Sequence, residues 1–155
     1  PSEDHGADGE TLRARGNEFG TVTGRPRRCG WFDAVAVRTA IRLNGIESLI
    51  LTKLDVLSRF PKVRLATAYS SAGKTFNFLS SHGPELETVT PVYEELDGWD
   101  EDIGKVRSFK DLPSNAQRLV KRIEELVGCE IGGFSVGPDR EHTVVSGGLL
   151  KRLTG

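Results

Sequence analysis

The 155-residue chain has no methionine and only two cysteines, Cys29 and Cys129. Two thiols far apart in sequence, outside any CxxC spacing, exclude a cysteine-ligated zinc ribbon or a dithiol redox centre. Reduced thiols in a cytosol-like compartment are the default, with a disulfide between them left open. An excess of charge of one sign is also missing: 21 Lys and Arg stand against 22 Asp and Glu, for a net charge of -1. No global field therefore draws in nucleic acid or an anionic membrane, and any anion binding must be local. Aromatic residues make up 7%, too few for the stacking platforms on which single-stranded nucleic acid is held. No apolar run reaches the roughly 20 residues that span a bilayer, and the opening Pro1-Ser2-Glu3-Asp4 has neither a basic nor an apolar leader region. The expectation is a cytoplasmic polypeptide with room for one domain and a core. The missing initiator methionine points to a fragment or processed piece of a longer chain.

Against that neutral background one stretch stands out. Gly16 to Trp31, GNEFGTVTGRPRRCGW, carries four glycines and three arginines. Glycine lets a ligand approach the backbone, and arginine presents a fixed fork of donors to carboxylate or phosphate oxygens. The stretch reads as an anion-binding loop, with Thr21, Thr23 and Gly24 supplying hydroxyl and amide donors and Arg25, Arg27 and Arg28 the charge. A plain solvated turn has the same composition.

Along the chain, Pro1 to Gly9 is polar and unpatterned, and Glu10 to Arg15 predicts a short helix stopped by Gly16. Asp33 is placed to cap a helix from Asp33 to Leu43, ended by Asn44-Gly45. Ser48 to Thr52 predicts a strand buried on both faces of a parallel sheet. Val63 to Ala68 and Phe76 to Leu79 alternate on either side of Ser70 to Lys74, the pattern of a hairpin. Ala68 to Thr75 imitates a phosphate loop. A working phosphate loop opens a helix, and the residues after it are β-type. Val89 to Glu95 predicts an edge strand because of Pro91. Ser114 is placed as N-cap of an amphipathic helix carrying Leu119, Val120, Ile123, Leu126 and Val127 and ended by Gly128. Glu130 to Phe134 and His142 to Val145 follow as strands, and Ser146 to Gly155 forms a tail. His5 and His82 read as surface residues.

Two strand ends carry chemistry. Thr52-Lys53-Leu54-Asp55 lies at the carboxyl end of a strand, where open α/β sheets place ligands. A carboxylate there accepts two parallel hydrogen bonds, and guanine offers adjacent N1–H and 2-amino donors on one edge. Adenine sets an acceptor against it instead. Losing hydrogen bonds to a charged group, at roughly 1.5 to 3 kcal/mol each, costs at least about tenfold in affinity. The stem of Lys53 can lie against the base, and the turn Ser135-Val136-Gly137 has N–H groups for guanine O6. On its own the tetrapeptide equally fits a helix N-terminus with Asp55 as cap.

Taken together, GNEFGTVTGRPRRCGW, LTKLDVL, PVYEEL, RIEELVG and SVGPDREHTVV, in this order and spacing, closely resemble the C-terminal third of the adenylosuccinate synthetase family, from about residue 1 to 145, with 146–155 left as tail. That family joins IMP to L-aspartate at the expense of GTP. The resemblance implies a mixed, mostly parallel α/β sheet with flanking helices and a peripheral hairpin, part of a larger P-loop-like GTP-binding fold. It also implies an L-aspartate loop of Thr21, Val22, Thr23, Gly24, Arg25, Pro26 and Arg27. Arg25 would also contact IMP. Arg27, Lys53, Leu54, Asp55, Ser135, Val136 and Gly137 would contact GTP. Magnesium and the catalytic acid and base belong to parts of the family absent from this chain, which alone is expected to be inactive. The family pairs as a homodimer. A stand-alone guanine-nucleotide binding module without catalysis is the alternative, and neither nucleic acid nor membrane is an expected partner.

Overall fold

Gly16 ends the first helix, as its position predicts, but the helix α1 starts earlier and runs Ala7–Arg15. The cause is tertiary. Glu3 bridges to Gly30, the Asp4 amide donates to the Cys29 carbonyl, and the Asp4 carboxylate accepts from the Gly6 amide and from Trp31 Nε1 at 3.1 Å. The polar opening residues are thus tied down by partners about 25 residues away, which no local pattern reveals. His5 is exposed, 3.8 Å from Glu3.

The computed structural model describes residues 1–78 and 88–149, so His82 and Leu79 lie outside the described residues, as do Leu150 and Leu153 of the tail. The chain divides into two units, Pro1–Thr39 with Arg64–Glu95, and Ala40–Val63 with Leu96–Gly155.

In the first unit, α2 (Ala34–Asn44) follows β1 (Phe32–Asp33), and Asp33 Oδ1 accepts the Ala36 N–H at 3.0 Å, the expected N-cap. β1 pairs in parallel with β3 (Lys62–Ser71), and β3 turns back antiparallel into β4 (Lys74–Phe76). The turn residues Ala72 and Gly73, at φ +49° and +75°, give the two-residue hairpin whose twist matches the strands. Lys74 begins a strand and opens no helix, so the phosphate-loop imitation is a hairpin. β5 (Thr90–Asp97) contains Pro91 and pairs with β3, off the β1-β3-β4 path. Leu12, Trp31, Ala34, Val35, Leu65, Ala66 and Tyr69 are buried in this unit. The hydroxyl of fully buried Tyr69 donates to Asp33 Oδ2 at 2.7 Å. Burial, then the Asp33 hydrogen bond, push the phenol well above its ordinary value.

In the second unit the sheet order is β2-β6-β7, from β2 (Ser48–Leu51), β6 (Glu130–Ser135) and β7 (Thr143–Val145). β2 is less covered than its apolar run suggests: its residues are half-buried and Ile50 is 46% exposed. Only β6 flanks it among the described residues. The helix α3 (Ser114–Val127) buries Ala116, Leu119, Val120, Ile123 and Val127, and Gly128 closes it. Each large apolar side chain taken out of water there contributes about 1.5 to 3 kcal/mol. Its N-cap is Pro113, and Ser114 is the first helical residue with no capping bond. Proline's fixed φ leads the chain into the helix one residue sooner than hydroxyl capping does.

Gly98 is a close-approach point. A Cβ built there stands 1.7 Å from the Phe60 carbonyl oxygen, while the Gly98 amide donates to the Pro61 carbonyl at 3.0 Å. The obstacle is backbone, which cannot rotate away. Gly98→Ala is expected to destabilise by roughly 2 to 3 kcal/mol, read as a lowered urea midpoint with an unchanged slope. Among the described residues no helix is long and apolar enough to cross a membrane.

Candidate functional site

The parallel pairing of β2 with β6 aligns Leu51 with Phe134, so both strands end at the same level. The segments that leave them are thereby brought together, although 82 positions separate Lys53 from Ser135. Lys53 is left-handed at φ +62°, a conformation that non-glycine residues adopt only where the surroundings enforce it. Its N–H donates to Ser135 Oγ at 2.8 Å. Ser135 is 7% exposed, the one polar side chain in the buried set of the described residues. The strained backbone and the buried hydroxyl hold each other in place.

From Lys53 the chain enters a short 3-10 helix, Leu54–Leu57. Leu54 and Val56 are buried beneath it and Asp55 is half-buried. Asp55 caps nothing. Its Oδ1 is shut off from solvent and has no hydrogen-bond partner, the only such buried side-chain atom among the described residues. A buried acceptor left empty costs about 1 to 3 kcal/mol, and native folds rarely leave one without a use.

The second turn is more selective than its sequence suggests. The Val136 N–H already donates to the His142 carbonyl at 2.9 Å. The Gly137 N–H has no such bond among the described residues and is the donor this turn has to offer, while the Val136 side chain is buried. A signal for this was present in the chain: Asp139 and His142 have the i, i+3 spacing of a capping box, which closes around the 3-10 turn Arg140–His142.

In the other unit, Thr21, Val22, Thr23, Gly24, Arg25, Pro26 and Arg27 are all exposed, Val22 at 96%. The loop is nonetheless shaped. Phe19 bridges to Pro26, the Gly20 amide donates to the Arg25 carbonyl and the Gly24 amide to the Gly20 carbonyl, both at 2.8 Å. Gly24 takes φ +63°, and Thr23 Oγ1 accepts the Arg25 N–H. The three arginines are not alike. Arg27 is held by Glu18 at 3.1 Å, and Arg28 by Glu3. The Arg25 guanidinium has no partner among the described residues. Composition cannot make that distinction, because the two acids lie 9 and 25 positions from their arginines.

Cys29 and Cys129 are both free thiols. Burial, reinforced by Glu130 and Glu124, pushes the Cys129 thiol up and away from reactivity. A cleft of about 660 Å³ in the second unit, lined by residues such as Arg107, Phe109, Lys121 and Phe134, includes none of the predicted site residues. Within the second unit the candidate site is a pair of turns at strand ends, and volume does not locate it.

The family model described as adenylosuccinate synthetase matches residues 1–144. Among curated relatives, the adenylosuccinate synthetases of Syntrophobacter fumaroxidans and Geotalea uraniireducens are 50% and 52% identical over 145 residues, covering 94% of this chain and 34% of each relative. The solved structure of fully ligated adenylosuccinate synthetase from Plasmodium falciparum superposes with a TM-score of 0.89 at 35% identity, covering 94% of this chain and 35% of that one. The chain thus spans about a third of the length of these proteins. With a fold match of that quality and a family match across nearly all of its residues, the chain belongs to the adenylosuccinate synthetase family.

Proposed function

We propose that this chain supplies the guanine-reading and L-aspartate-binding parts of a GTP-dependent ligase that joins IMP and L-aspartate into adenylosuccinate. The observation that carries the reading is the hydrogen bond from the Lys53 N–H to Ser135 Oγ, which joins the strand end bearing the half-buried Asp55 carboxylate to the one bearing Gly137. Guanine N1–H and its 2-amino group are the donor pair that fits a carboxylate, Gly137 N–H faces O6, and the Lys53 stem covers the base. Leu54, Ser135 and Val136 hold these groups in position from within the core.

In the reaction so assigned, GTP phosphorylates O6 of IMP and the aspartate amine displaces phosphate. Arg25 receives the L-aspartate carboxylate and touches IMP. Arg27, held by Glu18, is assigned to the aspartate loop and to GTP, and Thr21, Thr23 and the Gly24 amide add donors. Val22 and Pro26 shape the loop. Fixed cationic donors stabilise charge that grows in a transition state because they need no reorganisation at that moment. Magnesium is implied by the family. Among the described residues no three His, Cys, Asp or Glu side chains gather as a metal site, and the reading assigns this portion binding and orientation. The reading places the protein in the cytoplasm as a homodimer, with the remaining two thirds of the fold supplying acid, base and metal site, and this portion inactive by itself.

Titrating the intact protein with GTP, ITP and ATP tests the reading. GTP is expected to bind at least about tenfold more tightly than ATP, with ITP, which lacks the 2-amino group, in between. Equal affinities for all three would overturn it.

A further inference from the structure

We infer that His142 is a positioning residue for nucleotide binding: it holds the Gly137 N–H in the direction from which guanine O6 is read. The inference rests on the guanine reading of Asp55 and Gly137, and goes beyond it by naming the group that sets the geometry of the second contact. The residue grips the turn at three points. Its carbonyl accepts the Val136 N–H at 2.9 Å. Its Nδ1 accepts the Asp139 N–H at 3.2 Å. Its ring abuts the α-carbon between them, since a Cβ on Gly137 would lie 2.6 Å from Nδ1 and 2.8 Å from Cγ. The His142 amide in turn donates to the Asp139 carbonyl at 2.9 Å, and the Asp139 side chain closes the reciprocal cap.

Ser135 is fixed on the other side by Lys53. The peptide between Val136 and Gly137 is therefore held from both ends and backed by an imidazole, which leaves its N–H a single direction. A hydrogen bond weakens steeply as its angle falls, so a turn released by a few tens of degrees loses most of the contact to O6. Glutamate and glutamine are the usual residues at this capping position. Histidine keeps their acceptor and adds a flat ring as a backstop for Gly137.

The test uses the intact protein with GTP and its 6-thio analogue, which keeps N1–H and the 2-amino group but replaces O6 by a poorer acceptor. The wild type is expected to prefer GTP. His142→Leu removes the Nδ1 acceptor, and is expected to bind GTP roughly five- to tenfold more weakly while the 6-thio analogue loses less than about twofold. His142→Gln restores the acceptor and the preference. A role confined to fold stability predicts otherwise, with a lowered Tm in the leucine variant and an unchanged ratio between the two nucleotides. Should the leucine variant not fold, His142→Ser carries the same comparison. A ratio unaltered by these substitutions, or not restored by glutamine, overturns the inference. Failure of the wild type to prefer GTP over ATP removes the guanine reading and this inference with it, whereas a wild-type preference indifferent to His142 removes the inference alone.

Discussion

Asp55→Asn is expected to abolish the preference of the intact protein for GTP over ATP, with affinity for GTP falling about a hundredfold. A carboxylate offers guanine two acceptors, whereas an amide offers one acceptor and turns a donor against a donor. One hydrogen bond to a charged group, at roughly 1.5 to 3 kcal/mol, is thereby reversed and the other loses its charge assistance, and each 1.4 kcal/mol is about a decade. The same substitution should leave the fold intact. Asp55 Oδ1 serves no partner among the described residues, so replacing the carboxylate by an amide deprives none of them of a hydrogen bond, and Tm should hold or rise by a few degrees. That combination, unaltered stability with lost selectivity, marks a group retained for a ligand. A structural aspartate gives the opposite pair of results. Equilibrium binding of the two nucleotides and a thermal melt, made on the same preparation, decide between them.

Arg25→Leu is expected to raise KM for L-aspartate by about one to two orders of magnitude while KM for GTP changes little, from the loss of a bidentate guanidinium-to-carboxylate contact at roughly 1.5 to 3 kcal/mol. Arg28→Leu is the internal control. Arg28 already spends its charge on Glu3 within an exposed pair, and such pairs contribute no more than about 1 kcal/mol to the fold, so that variant should differ little from wild type in either constant. Arg27→Leu releases Glu18 as well as a ligand contact, so its effects should fall on both substrates. Steady-state kinetics of the three variants in the intact enzyme test the ordering. Three variants with equal, small effects would reduce the loop to a solvated turn.

Legibility in the sequence followed the range of the interaction. The periodic Leu119, Val120, Ile123 and Val127 set, the Asn44-Gly45 stop and the Asp33 cap are local, and the structure carries each of them. The hairpin was legible for the same reason, since Ala72-Gly73 sits between alternating runs. The start of α1 at Ala7 was not, because it depends on residues 2 to 4 docking on residues 29 to 31. Ile50 is exposed, as an apolar face whose covering layer lies outside this chain would be: a continuous apolar run says that a strand is apolar, but not how many neighbours cover it. At the candidate site, the residue types and the order of the motifs suggest a chemistry, while the arrangement of the groups stayed hidden. Nothing in the letters pairs Lys53 with Ser135, separates Arg25 from Arg27 and Arg28, or assigns the Val136 N–H to His142. Each of those facts is a contact between distant positions, and each decides which donor or acceptor remains for a ligand.

The most direct test of the account is a crystal structure of the intact protein with GDP bound. The account predicts guanine N1 and its 2-amino nitrogen within about 3 Å of the Asp55 carboxylate oxygens, with O6 facing the Gly137 N–H at a similar distance. A base bound elsewhere, with the Asp55 oxygen still unpartnered, would contradict it.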